Sequence, residues 1–156
     1  MDVIDSFTGK YHFLSNFHPS PFVYGGEVWP TVEHFYQAHK TIITELRNRI
    51  RVVSTPALAK KLGNYKTYQG QPVVRDNWAM LRQRYMKIAI DMKFDQNRDL
   101  AVLLVETYGK DLVEGNMWHD NFWGRCMCEQ CKSARKVVGQ NWLGYLLKEK
   151  RMQLMR

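Results

Sequence analysis

One short stretch of the chain concentrates ionisable and aromatic side chains: Trp29-Pro30-Thr31-Val32-Glu33-His34-Phe35-Tyr36-Gln37-Ala38-His39-Lys40. Pro30 and Thr31 can open a helix there, because proline fixes φ and a threonine hydroxyl can accept hydrogen bonds from free backbone N–H groups. Within that helix Glu33, Gln37 and Lys40 fall at i, i+4 and i+7 and therefore share one face. A carboxylate, an amide and an amine on one face suit a polar pocket, although charged residues at this spacing more often form a solvated surface.

Aromatic residues surround this polar face in the sequence. Trp29, Phe35 and Tyr36 lie within the stretch, and Phe13-Leu14-Ser15-Asn16-Phe17 precedes it. Aromatic side chains suit clefts that bind flat or ring-shaped ligands. This flank favours a binding pocket over a solvated stripe.

A second constellation, Asn116-Met117-Trp118-His119-Asp120-Asn121-Phe122-Trp123-Gly124, offers a carboxylate, an imidazole and several aromatic rings in a predicted loop. Asp120 meeting Glu33 would supply the paired acids that cleavage of a glycosidic bond needs, one aiding the leaving nitrogen or activating water, the other stabilising the sugar. Asp120 could equally cap a turn, as aspartate commonly does.

The three cysteines form one cluster, Cys126-x-Cys128-x-x-Cys131. An odd number of clustered cysteines does not indicate a disulfide framework. A zinc site with His119 as a fourth ligand is one interpretation. Because only one cysteine knuckle is visible where zinc sites usually pair two, the sequence favours reduced loop thiols, and we expect no bound metal.

Composition indicates a globular protein with an anionic partner. The 156 residues are 45% hydrophobic and 24% charged, enough for one domain with a proper core. The net charge of +8 favours a phosphorylated metabolite, a dinucleotide or nucleic acid, although dispersed basic residues such as Arg135 and Lys136 also fit a solvated surface. No apolar run is long enough for a membrane span, and the acidic N-terminus does not resemble a secretory signal, so we expect a cytoplasmic protein.

Periodicity and turn residues predict the elements that position these groups. Tyr24-Gly25-Gly26-Glu27-Val28 predicts a turn between two short strands. Thr55-Pro56 predicts a helix start and Gly63 its end. A helix with Leu46, Ile50 and Val53 is expected before this one, and a loop over 64–75 after it. A long helix capped by Asp76 should follow, with an inner face of Trp78, Leu81, Tyr85, Ile88 and Met92. The rest of the chain predicts a helix through Leu100 to Tyr108, a strand at 112–114, an irregular segment over 115–141, and a final helix with Leu143, Leu146, Leu147 and Leu154. The predicted fold is a mainly helical α+β single domain over residues 1–156, with a few short strands.

Five sequence blocks, in order, resemble the NADAR (YbiA-like) family over nearly the whole chain, from about Phe13 to Arg151. The blocks are Phe13-Leu14-Ser15-Asn16-Phe17, the helix from Trp29 to Lys40, Arg75-x-Asn77-Trp78, Asp120-x-x-Trp123-Gly124, and Asn141-x-Leu143-Gly144-x-Leu146-Leu147. The resemblance implies a YbiA-like fold and hydrolysis of an N-glycosidic bond. Some family members split ribose from early riboflavin intermediates, and others remove ADP-ribose from the exocyclic amine of guanine, reversing a toxin's modification of DNA.

The resemblance also implies the site residues. Glu33, Lys40 and Asp120 become the candidate catalytic residues. The candidate substrate-binding residues are Phe13, Ser15, Asn16, Phe17, Gln37, Arg75, Asn77, Trp78, Trp123, Gly124, Asn141 and Gly144. Arg125 departs from the acidic or small polar residue that many members carry after Trp-Gly. An added cation favours a substrate with more phosphate, which points to ADP-ribose on nucleic acid. The resemblance itself implies a functional link with an ADP-ribosyltransferase toxin.

The candidate residues are compatible with two mechanisms. In one, Glu33 orients or deprotonates water that attacks C1 of the ribose while Asp120 assists the leaving amine. In the other, Lys40 attacks C1 of the ring-opened sugar and forms a Schiff base, for which burial must lower its pKa although Glu33 would raise it. Neither needs a cofactor, and the chain carries no GxGxxG fingerprint or P-loop. A rival interpretation is a non-catalytic module that binds ADP-ribose or single-stranded nucleic acid.

Overall fold

The computed structural model describes residues 2–134 and 139–156, which fall into two compact units. The central unit is Asn16–Asn97; the terminal unit is the chain up to Ser15 and from Arg98 onward. The strands are β1 (Val3–Ile4), β2 (Phe22–Tyr24), β3 (Glu27–Trp29), β4 (Thr67–Tyr68), β5 (Gln71–Pro72), β6 (Asp111–Leu112), β7 (Gly115–Asn116) and β8 (Arg125–Cys126). The helices are α1 (Val32–His39), α2 (Thr44–Val52), α3 (Pro56–Gly63), α4 (Trp78–Gln96), α5 (Arg98–Glu106), α6 (Glu129–Ser133) and α7 (Trp142–Leu154), with a 3-10 helix at Gly9–Leu14.

The central unit is built around α1. All eight residues of this helix are buried, and it packs against α2, α3 and α4. Glu33 and Gln37 of the predicted polar face are therefore inside the protein, whereas Lys40, which follows the helix, is half-buried, and the alternative of a solvated surface stripe is wrong. A buried face of this composition requires internal hydrogen bonds, since an unpaired buried polar group costs free energy.

Two helix starts follow their predicted caps. The Thr31 hydroxyl accepts a hydrogen bond from the His34 N–H, and the Thr55 hydroxyl accepts one from the Leu58 N–H, each at 3.1 Å. Pro56 occupies the first turn of α3. Both predicted helix starts are confirmed. Each threonine hydroxyl pairs with a backbone N–H donor that the first helical turn leaves free.

The predicted hairpin before α1 is also confirmed. Strands β2 and β3 pair antiparallel, with Phe22 opposite Trp29. The two-residue turn has φ of 63° at Gly25 and 78° at Gly26, a conformation that glycine adopts at little steric cost. The hairpin therefore ends two residues before Thr31, the N-cap residue of α1.

The terminal unit contains two short parallel pairings. β1 pairs with β6, and β7 pairs with β8. Helices α5 and α7 contact each other, and α7 also contacts β6. The predicted helices at Leu100–Tyr108 and at the end of the chain are present.

Five sequence-based predictions need correction. The loop over 64–75 contains the β4–β5 hairpin, and α4 begins after Asn77, not after Asp76. The buried residues of α4 are Trp78, Met86, Ala89, Ile90, Lys93 and Phe94, whereas Leu81, Tyr85, Ile88 and Met92 are half-buried. Of the strand expected at 112–114, only Leu112 lies in a strand, at the end of β6, and the segment 115–141, expected to be irregular, includes β7, β8 and α6. These pairings are only two residues long, so they leave no alternating pattern in the sequence.

The expectation of a mainly helical α+β fold with a few short strands is confirmed. The extent of the domain, residues 1–156, stays a prediction. No helix within 2–134 or 139–156 has the length and apolar character needed to cross a bilayer. Arg135 and Lys136, two of the dispersed basic residues, lie outside the described residues.

Candidate active site

Glu33 lies in the first turn of α1 and is 7% exposed. Its carboxylate Oε1 accepts a hydrogen bond from Gln37 Nε2 at 2.8 Å, the i, i+4 contact that the sequence spacing predicts. Its backbone N–H donates to the carbonyl of Asn16 at 3.1 Å. The Phe13–Phe17 block therefore meets the Glu33 helix at Asn16, and a buried carboxylate is held in a fixed orientation.

Two amide oxygens beside Glu33 have no hydrogen-bond partner within the described part of the chain. They are Asn16 Oδ1 and Gln37 Oε1, on side chains that are 7% and 3% exposed. The other atom of the Asn16 amide, Nδ2, lies 3.7 Å from Met86 Sδ. Nearly all buried polar atoms in proteins are paired, so unpaired acceptors next to a buried carboxylate mark a place where a ligand can donate.

Lys40 follows α1 and is half-buried. Its Nζ donates to Asn64 Oδ1 at 3.2 Å and lies 5.5 Å from the centre of the Tyr36 ring. Burial lowers the pKa of Lys40, the nearby Glu33 carboxylate raises it, and Lys60 lowers it further, so that the net pKa lies below the ordinary value. The opposition between burial and Glu33 that the sequence predicts is present, and burial prevails.

An aromatic group lies beside these residues. Trp78, at the start of α4, is 7% exposed, and its ring lies 5.2 Å from that of Tyr36 and 5.8 Å from that of Tyr85. Arg75 donates its backbone N–H to the Lys40 carbonyl at 2.8 Å, and its Nε donates to Asn77 Oδ1 at 3.1 Å. The Arg75-x-Asn77-Trp78 block is thereby tied to the end of α1.

His39 also lies in this region, although the sequence did not single it out as a site residue. Its Nδ1–H donates to the Phe35 carbonyl at 2.6 Å, and its Nε2 accepts from Arg47 at 2.8 Å. Burial lowers the pKa of His39 to about 4, although the Phe35 carbonyl opposes this. The imidazole is therefore neutral near pH 7 and joins α1 to α2. Its only sequence signal was its position among aromatic residues.

In the terminal unit, Asp120 caps a turn. Its Oδ1 accepts from the backbone N–H groups of Phe122 and Trp123, at 3.0 and 2.9 Å. Asn116 holds Asp120 from the other side, accepting from its N–H at 3.1 Å and donating to its carbonyl at 2.7 Å. The turn-capping interpretation is confirmed, and the fixed loop also gives the carboxylate a defined position.

Asn141 and Gly144 have clear structural roles. Asn141 Nδ2 donates to the Leu112 carbonyl and its Oδ1 accepts from the Glu114 N–H, at 2.9 and 3.0 Å. A Cβ on Gly144 would lie 2.1 Å from the Leu112 carbonyl oxygen. A Cβ on Gly124 would lie at the same distance from the Glu114 carbonyl oxygen. Both glycines allow close approach of two backbones, so whether these three residues also contact substrate stays a prediction.

The structure divides the predicted site residues between the two units. The central unit holds Asn16, Phe17, Glu33, Gln37, Lys40, Arg75, Asn77 and Trp78. The terminal unit holds Phe13, Ser15, Asp120, Trp123, Gly124, Asn141 and Gly144. Contacts within the central unit connect Asn16, Glu33, Gln37, Lys40 and Arg75 into one group. The meeting of Asp120 with Glu33 stays a prediction.

Comparisons with known proteins identify the family to which this chain belongs. The model for the NADAR domain matches residues 5–155. The chain belongs to the NADAR family. It is 36% identical to the N-glycosidase YbiA of Escherichia coli over 149 residues, covering 96% of this chain and 85% of that protein. The NMR structure of E. coli YbiA is similar in fold, with a TM-score of 0.78 and 35% sequence identity. The match covers 99% of this chain and 86% of the YbiA chain.

Two further relatives are similar to most of this chain. An N-glycosidase of Nostoc punctiforme is 31% identical over 133 residues, covering 83% of this chain and 80% of that protein. A chloroplastic riboflavin biosynthesis protein of Zea mays, PYRR, is 32% identical over 153 residues, covering 91% of this chain but 23% of the plant protein. This NADAR chain is accordingly an enzyme, a hydrolase that acts on N-glycosyl compounds. The interpretation as a purely non-catalytic binding module is not supported.

Proposed function

We propose that this NADAR protein hydrolyses the bond between an exocyclic amine and C1 of a phosphorylated ribose, and that its substrate is ADP-ribose on guanine bases of DNA. Hydrolysis adds water across that bond, returning the free amine to the base and a hydroxyl to C1. An ADP-ribosyltransferase must install such a modification, so the predicted link to a toxin of that class belongs to this proposal.

The observation that carries the proposal is the buried carboxylate of Glu33 with an unpaired acceptor, Asn16 Oδ1, beside it. Asn16 Oδ1 can accept from a ribose hydroxyl or from the exocyclic amine, groups that a glycosylamine supplies. Arg75, whose backbone N–H donates to the Lys40 carbonyl, and Lys60, which lowers the Lys40 pKa, provide positive charge for a diphosphate. Trp78 offers an aromatic face for a base or a ribose.

The lowered pKa of Lys40 favours the Schiff-base mechanism of the two considered. Ring opening of the glycosylamine gives an imine at C1, and the neutral Lys40 amine adds to that carbon. The C1–N bond to the base then breaks, the base leaves as its amine with a proton, and Lys40 retains the sugar as an imine. Water adds to C1, the C1–Nζ bond breaks, and the sugar closes again. In this mechanism Glu33 transfers these protons.

A second candidate substrate is a ribosylated aminopyrimidine intermediate of riboflavin biosynthesis. The similarity to riboflavin biosynthesis proteins of Zea mays and, over 116 residues at 34% identity, of Vibrio vulnificus favours it. Both candidate substrates share an exocyclic amine joined to C1 of a phosphorylated ribose, so the same residues would serve either. They differ in the number of phosphates and in the size of the leaving base.

The deciding experiment is a time course on DNA carrying guanine-linked ADP-ribose, with the parent protein beside Glu33→Gln. Glutamine at position 33 can still accept the hydrogen bond from Gln37 but cannot exchange a proton. We expect the parent to release ADP-ribose and Glu33→Gln to be slower by about 10²–10⁴-fold, the usual contribution of a general acid or base. Glu106→Gln, at an exposed carboxylate in the terminal unit, is the matched control and should retain the parental rate.

Each result leads to a distinct conclusion. No release from DNA by the parent, with turnover of a phosphoribosyl-aminopyrimidine, would replace the DNA substrate by the riboflavin intermediate. Equal rates for the parent and Glu33→Gln would remove the proposed role of Glu33. Binding of ADP-ribose by the variant without turnover would separate a lost chemical step from a lost fold.

A further inference from the structure

Four side chains outside the proposed active-site group converge in the terminal unit: His119, Cys126, Cys128 and Cys131. Their ligand atoms, one nitrogen and three sulfurs, all lie within 4.8 Å of one another. His119 Nδ1 is 3.3 Å from Cys131 Sγ, 3.6 Å from Cys128 Sγ and 3.9 Å from Cys126 Sγ. No other such cluster of three or more histidine, cysteine or acidic side chains occurs among residues 2–134 and 139–156.

Hydrogen bonding alone does not account for this arrangement. A single imidazole nitrogen carries either one proton or one lone pair, so it can make one good hydrogen bond and not three. A cation at the centre of the four atoms would satisfy all of them together. With Zn–S bonds of about 2.3 Å and Zn–N bonds of about 2.0–2.1 Å, the N···S edges of a tetrahedral site are about 3.6 Å. The three distances from His119 Nδ1 lie on both sides of this value.

We propose that His119, Cys126, Cys128 and Cys131 bind one zinc ion in a closed tetrahedral site. Three thiolates and one imidazole form the Cys₃His set that structural zinc sites use, and Cys128-x-x-Cys131 has the spacing of a zinc knuckle. Soft sulfur ligands in a tetrahedral arrangement select zinc over magnesium or calcium. The sequence favoured free thiols because the second half of the site is a lone histidine and a lone cysteine, not a second knuckle.

The surrounding backbone is arranged to stabilise thiolates. The His119 N–H donates to Cys126 Sγ at 3.4 Å, and the Cys131 N–H donates to Cys128 Sγ at 3.3 Å. Asn121 Nδ2 lies 3.5 Å from Cys131 Sγ, while Asn121 Oδ1 accepts from the Cys126 N–H at 2.9 Å. Such partners orient ligands around a metal. His119 itself has φ of 68°, a left-handed conformation that directs its ring toward the cysteines and that non-glycine residues rarely adopt.

The position of the four ligands indicates the purpose of the ion. They come from strand β8, from helix α6 and the residue before it, and from the residue directly before Asp120. Four protein ligands leave no open coordination position, so the ion is structural and not a Lewis acid for the reaction. It would clamp the loop that carries Asp120, Trp123 and Gly124. This inference does not depend on which substrate the enzyme cleaves.

The test measures metal directly. The full chain is purified without a metal-affinity tag or chelator, dialysed with zinc and then against metal-free buffer, and its zinc content is compared with that of a Cys128→Ser/Cys131→Ser variant. We expect about one zinc per parental chain and at least a tenfold loss in the variant. His12→Gln, a change at a histidine outside the cluster, is the control and should retain the parental zinc content.

A second measurement keeps the proposal testable if the double variant does not fold. The three cysteines are the only ones in the chain, so a thiol reagent reports on this cluster alone. The parental thiols should react slowly until a chelator is added, and the apoprotein titrated with Co²⁺ should show the visible spectrum of a tetrahedral thiolate site, which Zn²⁺ abolishes. Three freely reactive thiols with no zinc, a disulfide between two cysteines, or equal zinc in the folded double variant would each overturn the proposal.

Discussion

At the scale of single residues, the chemistry of the candidate site depends on how burial changes ordinary side chains. Glu33 and Lys40 lie at either end of α1, where one is a buried carboxylate and the other a half-buried amine. Burial makes their charged forms costly, and each reduces that cost for the other. Because the pKa of Lys40 is lowered, its neutral amine is more favoured at a given pH than that of a lysine in water.

Replacing Lys40 tests whether this amine is a nucleophile. Lys40→Arg keeps a cation for phosphate but removes the amine that can form an imine, and Lys40→Ala removes both. If the Schiff-base mechanism holds, both variants lose turnover to a similar extent, and borohydride added during the parental reaction links the sugar to Lys40, detectable by mass spectrometry. The parental rate should also rise with pH through the lowered pKa of Lys40, below the ordinary lysine value.

Activity retained in Lys40→Arg and lost in Lys40→Ala would mean that the cation only binds phosphate. In that case the mechanism in which Glu33 activates water would replace the imine. Lys61→Arg, at an exposed lysine on α3, controls for a general effect of changing lysine to arginine.

At the scale of elements, the close packing of α1 against α3 depends on Gly63, the last residue of α3. A Cβ at position 63 would lie 2.1 Å from Gln37 Oε1 and 2.9 Å from Gln37 Cβ. In an exposed helix a change from glycine to alanine adds stability, by up to about 1 kcal/mol. Here we expect Gly63→Ala to destabilise the protein by about 1–3 kcal/mol, because overpacking of a buried contact exceeds the gain in helix propensity.

The same change should move Gln37 away from Glu33 and reduce turnover. Urea unfolding gives the stability and a rate assay gives the activity. Lys61→Ala, on the exposed side of α3, is the matched control and should change neither by much. A Gly63→Ala variant that is more stable than the parent would show that α1 and α3 do not approach as closely as Gln37 and Gly63 do here.

Elements with local signals were predictable from the sequence, and elements with long-range partners were not. Thr31 and Thr55 cap their helices with hydroxyls only three residues from the N–H groups they bind. By contrast, β1 pairs with β6 across more than a hundred residues of chain. The prediction for the inner face of α4 was wrong because Lys93 is buried there. A prediction from hydrophobic periodicity assigns lysine to the polar surface of a helix.

The site shows the same division. The hydrogen bond between Glu33 and Gln37 follows from helical spacing, and the family resemblance supplied the candidate residues. The sequence offered the cysteine–histidine cluster as one interpretation but did not favour it, because His119 joins the three cysteines through the turn held by Asn116 and Asn121.

At the scale of the whole molecule, the net charge of +8 argues for an anionic substrate but counts every lysine alike. Lys93 does not fit that count. Its side chain is fully buried in α4, its Nζ lies 5.2 Å from the centre of the Phe94 ring, and burial lowers its pKa to about 7. Near neutral pH it carries only part of a charge, so it adds little to the field that attracts phosphate and bears instead on stability.

Lys93 makes the free energy of unfolding depend on pH. The unfolded chain holds this proton up to the ordinary lysine value of 10.5, whereas the folded chain releases it above about pH 7. Between these values the unfolded state binds more protons, so stability rises with pH; below about pH 7 both states are protonated and the full cost of burying the charge remains. The pKa difference corresponds to a rise of up to roughly 5 kcal/mol.

Lys93→Met, which keeps the length of the side chain and removes the proton, tests this dependence. Urea unfolding between pH 6 and pH 10 should show the variant more stable than the parent at pH 6 and the difference shrinking as the pH rises. Lys61→Met, at an exposed lysine of α3, should follow the parent throughout. A constant difference between the parent and Lys93→Met over this range would mean that Lys93 keeps its charge in the folded protein. The carboxylate or dipole that stabilises that charge would then be part of the core, and the buried lysine would count toward the net charge after all.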